Sequence, residues 1–281
     1  MNDITVLIKT NDRFKCLDRL LKSLFKFYPN IKVLIADDGR KDYKEAILKK
    51  YFKYDITYYV LDYDMGLSYG RNFLLKKVKT PYFLLCDDDF VFDKKTNIVK
   101  TLNMIKKEKL DILGGYVRNY KTVSSFKDNI VLFIEKIIRY ELPSNYIGSF
   151  EEKNQVLTVN YRIHDFPDYE ETDIVLNFFI GRTNSIKKMG GWDNNLKLQE
   201  HTEFFYRAKL NKLKVAFTNS FSVKHMPVRL GAYKDVRERD FTHIFMKKYN
   251  FKKMNFNYDD KSRNVIVTMN KRGNITRKRQ E

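Results

Sequence analysis

The amino-acid sequence predicts an α/β fold in which a mixed, mostly parallel central sheet is flanked by helices. Apolar segments that suit buried strands alternate with segments of helical periodicity through the first half of the chain. This β–α–β order implies parallel strands joined by right-handed crossovers. Polar residues recur where these strands end, which is where such sheets bind their ligands.

The predicted elements follow a regular order in the first half and a mixed order in the second. Strands are expected at residues 4–9, 32–36, 56–61, 82–86, 110–117, 155–163, 174–180, 215–217 and 221–223. Helices are expected at residues 14–27, 43–52, 69–78, 129–140 and 202–210. The sequence shows no internal repeat or low-complexity linker, which indicates one domain with a basic C-terminal appendage.

The composition indicates a folded protein with a sizeable core. Of the 281 residues, 43% are hydrophobic and 15% are aromatic, which argues against disorder. Cys16 and Cys86 lie in apolar segments and are expected to be buried free thiols of a reducing compartment. No run approaches the roughly 18 apolar residues of a membrane span, and the sequence begins directly with a strand, so a cytoplasmic location is expected.

The formal net charge of +19 has three candidate explanations. An anionic membrane surface and a generally lysine-rich composition are equally favoured. Nucleic acid is less favoured, because the lysines are spread along predicted helix faces and are not gathered in one motif. From residue 230 onward the chain is basic and amphipathic; Phe241, Phe245 and Phe251 are candidates to lie on a membrane, and residues 271–279 are expected to fray.

The most informative segment is TPYFLLCDDDFVF, residues 80–92, in which an apolar strand runs directly into Asp87, Asp88 and Asp89. Carboxylates at the end of a buried strand are costly unless a cation neutralises them. At the carboxyl edge of an α/β sheet, this neutralising cation is typically a divalent metal that carries a phosphorylated ligand. The alternative is an acidic loop with helix-capping aspartates, and the triplet alone leaves both open.

Polar residues also end the neighbouring strands. Thr10 and Asn11 follow the first strand, and Asp37 and Asp38 follow the second. Because the carboxyl ends of parallel strands meet at one edge of the sheet, these residues predict a nucleotide site there.

A glycine-rich turn opens the third helix. It has the sequence YDMGLSYGRN, and Arg71 follows Gly66 and Gly70. Backbone N–H groups at a helix start favour anions, and Arg71 is placed to bind a phosphate. For this turn alone, a helix start with a solvated arginine is the favoured alternative.

Two further features suit catalysis. The segment GGWDNNLKLQEHTEFFYR places Glu200 and Glu203 on one helical face, with His201 between them. These carboxylates suit either a general base or simple helix capping. His225 follows a short strand, and one imidazole joined to two carboxylates makes an octahedral Mn²⁺ site.

Residues 6–39, 66–92 and 175–209 together carry a resemblance to a known family. The chain resembles GT-A-fold nucleotide-sugar glycosyltransferases. More closely, it resembles the ganglioside-type β-1,4-N-acetylgalactosaminyltransferases, which are related to family 2. The match covers roughly residues 4–226. It implies a Rossmann-like GT-A domain at 1–229, with a nucleotide-binding half at 1–118 and an acceptor half at 119–229. The basic extension then covers residues 230–281.

The resemblance implies roles on the donor side. Four residues would hold the uridine: Thr10, Asn11, Arg13 and Asp38. Arg71, in the turn that starts at Gly66, would lie near the diphosphate or the base. The DxD motif of Asp87 and Asp89 would bind Mn²⁺ or Mg²⁺, with His225 as the remaining protein ligand and Asp88 beside the nucleotide sugar.

On the acceptor side, the resemblance implies a general base among Glu203, Glu200 and His201. Glu203 is favoured because it matches the family's EFF pattern, and Glu200 comes next. His201 stands where many relatives have aspartate. Asn177 and Trp192 would shape the sugar and acceptor pocket.

The predicted function is inverting transfer of a sugar from a UDP-sugar, with GalNAc favoured, to a hydroxyl of a glycan. The acceptor is expected to be a surface or capsule polysaccharide or a lipid-linked saccharide, handled at the inner face of a membrane. Two alternatives are a nucleic-acid-binding protein on a transferase-like fold and a nucleotidyltransferase. The nucleotidyltransferase is disfavoured because the sequence LIKTNDRFK, which spans the end of the first strand and the loop after it, lacks glycine.

Overall fold

The computed structural model describes residues 1–120, 141–142, 145–227 and 239–279. Its strands are β1 Ile4–Thr10, β2 Lys32–Asp37, β3 Ile56–Val60, β4 Tyr82–Asp87, β5 Phe90–Val91, β6 Ile112–Tyr120, β7 Glu141–Leu142, β8 Ile147–Lys153, β9 Val156–Arg162, β10 Tyr169–Glu171, β11 Phe179–Arg182, β12 Val215–His225, β13 Lys253–Tyr258, β14 Val265–Met269 and β15 Ile275–Arg279. Its helices are α1 Phe14–Phe27, α2 Lys44–Lys50, α3 Leu67–Lys77, α4 Ile98–Lys107, α5 Thr183–Met189, α6 Glu200–Leu210 and α7 Thr242–Lys248, with a 3₁₀ turn at Lys261–Arg263. The helix expected at 129–140 lies outside the described residues.

The central sheet has the strand order β10-β12-β6-β11-β4-β1-β2-β3, with β5 beside β12 and β7 beside β6. Strands β3, β2, β1 and β4 are parallel, and β11 runs antiparallel between β4 and β6. The expected mixed sheet is therefore confirmed. Its register pairs Thr10 with Asp37 and Lys9 with Asp87, so the predicted strand-end residues meet at one edge.

Local sequence explains most of the helices. In α1 one face carries the buried residues, Cys16, Leu17, Leu20, Leu21, Leu24 and Phe25, whose helical spacing lets the whole stripe pack on the sheet. Helix α3 begins after Gly66, whose φ of +91° suits glycine alone. The strands expected at 215–217 and 221–223 form one strand, β12, with an irregularity between Thr218 and Ser222.

The C-terminal residues differ most from expectation. Strands β13, β14 and β15 continue a second sheet, of order β15-β14-β13-β9-β8, so the fraying expected at 271–279 is wrong for Ile275–Arg279. Phe245 and Phe251 are buried in the core, where both rings pack against Tyr206, and they do not face a membrane. These two apolar side chains are therefore buried inside the protein. Within the residues described, no helix is long and apolar enough to cross a membrane.

Candidate active site

The candidate site lies at the carboxyl edge of β1, β2 and β4, where the amino ends of α3 and α6 also arrive. It is built from five segments that are distant in sequence. The aspartate triplet lies on one side of it, and the first turn of α6 lies on the other.

The three aspartates point in different directions. Asp87 ends β4 with 41% of its side chain exposed, and its Oδ1 lies 3.3 Å from an Arg71 nitrogen. Asp88 is buried and accepts hydrogen bonds from Thr10 Oγ1 at 2.6 Å and from the Arg13 guanidinium at 2.7 Å. Asp89 is also buried and accepts from Arg13 at 2.6 Å. Of the triplet, Asp87 has the most exposed side chain.

Burial and neighbouring charge separate the acidities of the two buried carboxyls. Burial raises the pKa of Asp88 to about 7, although Arg13 acts in the opposite direction. Burial also opposes ionisation of Asp89, but the contact with His225 and the charge of Arg13 outweigh it and hold the pKa of Asp89 below its usual range. The two carboxyls thus share the Arg13 guanidinium, and the protonation of one depends on that of the other.

His225 and Asp89 test whether the site suits a metal. His225 Nδ1 lies 2.6 Å from Asn119 Oδ1, so Nδ1 donates there, and Nε2 lies 3.3 Å from Asp89 Oδ2. Two acceptors face each other at that contact unless Nε2 is protonated or a cation lies between them. Asp89 Oδ1 is buried without a hydrogen-bond partner among the described residues. These two side chains therefore fit adjacent positions around a divalent ion.

Asp87 does not complete that set in the structure. No group of three metal-ligating side chains occurs in the ranges that the structure describes, because the Asp87 carboxylate turns toward Arg71. The ligand set of Asp87, Asp89 and His225 stays a prediction, with two of its three members in contact.

Asp38 and Thr10 are buried side chains that hold the segments of the site together. The Asp38 carboxylate is 1% exposed and accepts hydrogen bonds from Lys9 Nζ, Asn11 Nδ2 and Gly66 N, the last at 2.8 Å. Thr10, also buried, donates to Asp88. Because both side chains are buried, they are poorly placed for direct contact with uridine. They join the ends of β1, β2 and β4 to the turn that begins α3. Asn11 and Gly66 stay partly exposed at the edge.

Gly66 acts through its backbone. Its positive φ and its close approach to Lys197, where a Cβ would lie 2.8 Å from the Lys197 Cβ, both require glycine. Its N–H donates to Asp38, which fixes the turn. The turn is therefore shaped by tertiary contacts that the glycine permits.

The surroundings of Glu203 do not favour it as the base, and its role stays a prediction. Glu203 is 0% exposed, and its carboxylate accepts hydrogen bonds from Arg207 at 2.9 and 3.0 Å, from Lys248 at 2.7 Å and from Tyr249 at 2.9 Å. Helix α7 and the residue after it cover this part of α6. Four hydrogen bonds from the protein thus occupy the Glu203 carboxylate.

Glu200 has a different setting. It opens α6, and its Oε1 accepts a hydrogen bond from Arg71. Arg71 is itself buried and contacts Asp87 through its other terminal nitrogen. Glu200 and Asp87 are therefore held by the two arms of one guanidinium.

Trp192 supports this bridge from the core. It is 2% exposed, stacks on Phe204 at a centroid distance of 4.7 Å, and lies under the Arg71 guanidinium at 5.8 Å. The ring of Trp192 contacts Arg71 and the core, and its part in an acceptor pocket stays a prediction.

His201 and Asn177 meet beside Glu200. His201 Nδ1 lies 2.8 Å from Asn177 Oδ1, and Asn177 remains partly exposed. Burial, reinforced by the nearby Arg71 charge, lowers the pKa of His201 to about 3. The imidazole is therefore neutral at physiological pH.

Sequence reasoning missed several residues that build the site. Lys9 interrupts an apolar strand and pairs with Asp38, and that interruption was a usable signal. Gln199, Arg239 and Lys248 attach the C-terminal residues to the site. No local pattern marks these three.

The fold is of the GT-A type, as solved structures with a similar fold show. The crystal structure of S. aureus TarS 1-349 in complex with UDP-GlcNAc matches with a TM-score of 0.62 and 17% identity, over 88% of this chain and 64% of that chain. GalNAc-T7 with UDP, GalNAc and Mn²⁺ matches with a TM-score of 0.57 and 13% identity, over 82% and 45%.

The chain belongs to glycosyl transferase family 2, whose model matches residues 5–190. Human β-1,4 N-acetylgalactosaminyltransferase 1 is 30% identical over 222 residues, 79% of this chain and 38% of the relative. Mouse β-1,4 N-acetylgalactosaminyltransferase 2 is 31% identical over 204 residues, 73% and 36%. The chain thus spans little more than a third of these relatives. The predicted GT-A fold and family resemblance are confirmed.

Proposed function

We propose that the chain transfers a sugar from a UDP-sugar to a hydroxyl group of a glycan, with inversion at the anomeric carbon. Family membership supports glycosyl transfer. The names of the relatives favour GalNAc as the sugar. The solved structures of similar fold contain UDP-GlcNAc in one case and UDP with GalNAc and Mn²⁺ in the other, which supports a UDP-sugar donor.

The observation that carries this proposal is the bridge made by Arg71. Its guanidinium contacts exposed Asp87 on the donor side and Glu200 on the acceptor side. A buried cation between two carboxylates offsets their charge and fixes their spacing. The bridge therefore places an anion-stabilising group and a general base around one reaction centre.

The residues of the chain divide the chemistry as follows. Glu200 takes the proton of the acceptor hydroxyl while that oxygen bonds to the anomeric carbon. The bond from that carbon to the UDP oxygen breaks in the same step, which inverts the configuration. Arg71 stabilises negative charge that develops on the departing diphosphate, and neutral His201 with Asn177 orients the acceptor.

Mn²⁺ or Mg²⁺ would be held by Asp89 and His225, with Asp87 on the exposed side. When bound, the ion supplies charge neutralisation for the leaving diphosphate. The contact between His225 Nε2 and Asp89, and the unpartnered Asp89 oxygen, support this assignment.

For the acceptor we propose a surface or capsule polysaccharide or a lipid-linked saccharide, used at the cytoplasmic face of an anionic membrane. The formal charge of +19 supports membrane contact. Flotation with vesicles containing anionic lipid should retain the protein, and flotation with neutral vesicles should not. Equal behaviour in both would remove the membrane from the proposal.

The donor is tested by calorimetric titration with UDP-GalNAc, UDP-GlcNAc, UDP-galactose and UDP-glucose, each with Mn²⁺ and with EDTA. Asp87→Asn is the test variant, and Asp42→Asn, an exposed aspartate at the start of α2, is the matched control. We expect metal-dependent binding, tightest for UDP-GalNAc, that Asp87→Asn weakens at least about 10-fold, because one charge-assisted contact is lost. No binding of any donor would overturn the proposed function.

A further inference from the structure

Gln199 precedes the candidate base and has an unusual backbone. It occupies the N-cap position of α6 with a φ of +61°, which is the left-handed region that non-glycine residues seldom adopt. Its side chain makes no capping hydrogen bond to its own helix. Other contacts must therefore hold this conformation.

Those contacts come from the C-terminal residues. Gln199 Oε1 accepts hydrogen bonds from Phe241 N at 2.8 Å and from Thr242 Oγ1 at 3.0 Å. Thr242 Oγ1 in turn accepts from Arg277 at 2.7 Å, and Arg277 pairs with Asp240. A continuous polar chain thus joins β15 to the first turn of α6.

Two further attachments reinforce the same docking. Arg239 forms a two-armed ion pair with Asp64, at 2.7 Å for both contacts, beside the turn that begins α3. Lys248 and Tyr249 bind Glu203 on the second turn of α6. The segment 239–249, which we name the C-terminal clamp, therefore contacts both elements that carry Arg71 and Glu200.

We propose that Gln199 is a positioning residue for Glu200, and that the C-terminal clamp sets its orientation. The inference rests on the proposed function, in which Glu200 is the base. Because Gln199 fixes the direction in which α6 starts, it fixes the distance from Glu200 to Arg71. General-base catalysis is sensitive to such displacements.

The test variant is Gln199→Met, which keeps the size and removes the acceptor oxygen. The conservative variant is Gln199→Glu, which keeps an oxygen at the same position. Gln155→Met is the matched control, since Gln155 is also left-handed, with a φ of +62°, in the turn between β8 and β9. Thr242→Val, which removes the hydroxyl partner, replaces the test variant if Gln199→Met does not fold.

The first readout is UDP release from UDP-GalNAc, with water in place of the acceptor. We expect Gln199→Met to lower kcat about 10-fold with a KM for UDP-GalNAc within about 2-fold, and Gln199→Glu to recover most of the rate. In a Glu200→Gln background the same change should have no further effect. An unchanged kcat, or a loss that simply adds to that of Glu200→Gln, would overturn the inference.

The second readout does not depend on turnover. Hydrogen exchange at the amides of α6 should accelerate at least about 10-fold in Gln199→Met and stay unchanged in Gln155→Met. Unchanged exchange in α6 would also overturn the inference. If the wild-type chain neither binds nor cleaves any UDP-sugar while α6 responds as expected, the proposed function fails and the positioning contact stands.

Discussion

Two carboxylates three residues apart on one helix are both buried, at 2% exposed for Glu200 and 0% for Glu203, but they have different partners. Glu200, on the first turn of α6, faces Arg71 and through it Asp87. Glu203, on the second turn, faces Arg207, Lys248 and Tyr249 and is closed off from solvent. Helical spacing places both on one face, but the elements packed on each turn decide their roles. The first turn borders the open strand edge, and the second lies under the C-terminal clamp.

The largest effect is expected when Glu200, the first of the two carboxylates, is neutralised. Glu200→Gln keeps the shape and removes the proton acceptor, so kcat for transfer or UDP release should fall about 100-fold or more. Calorimetry should show donor binding within about 3-fold of wild type. A variant that keeps full turnover would remove Glu200 from the mechanism and leave His201 as the remaining candidate.

The matched change on the second turn should act on folding instead. Glu203→Gln leaves Arg207 without its carboxylate partner and Lys248 with Asp193 alone, and it should lower the free energy of unfolding by about 3 kcal/mol, measured by urea denaturation. The kcat per folded molecule should change only a few-fold. Glu45→Gln, an exposed glutamate on α2, should stay within about 0.5 kcal/mol. A large loss of kcat with unchanged stability would reverse the roles assigned to the two glutamates.

His201, which lies between the two glutamates, should make the free energy of unfolding depend on pH. Burial holds the pKa of His201 near 3, against 6.5 when unfolded. Between these values the unfolded chain binds a proton that the native state does not, so the stability contributed by His201 is present above pH 6.5 and is lost as pH falls toward 3. Relative to His201→Gln, the wild-type chain should lose about 2 kcal/mol of unfolding free energy between pH 7.5 and pH 5.

Denaturation curves at several pH values measure this difference, and His164→Gln is the control because His164 is exposed. An equal pH dependence for wild type and His201→Gln would show that His201 is solvated in the native state. The neutral imidazole assigned beside Glu200 would then be wrong.

At the other side of the site, the surroundings of the aspartate triplet are likewise set by distant residues. The sequence marks Asp87, Asp88 and Asp89 alike, yet Arg13, 76 positions from Asp89, draws the last two into a buried ion-pair network. Asp87 stays half-exposed. Which aspartates are buried was therefore decided by Arg13, the residue before α1, and not by the triplet itself.

The sequence by itself determined the order of strands and helices from β1 to β4, the strand edge that carries the candidate site, and a helix at 202–210, which the structure begins at Glu200; it did not indicate α4. Apolar periodicity and glycine positions are local properties, and they suffice for such features. Only the tertiary structure decided that Glu203, Trp192, Asp38 and Asp88 support the site from within, and that residues 239–279 pack against it. Burial and hydrogen bonding of a polar side chain depend on partners far along the chain, and no local pattern specifies those partners.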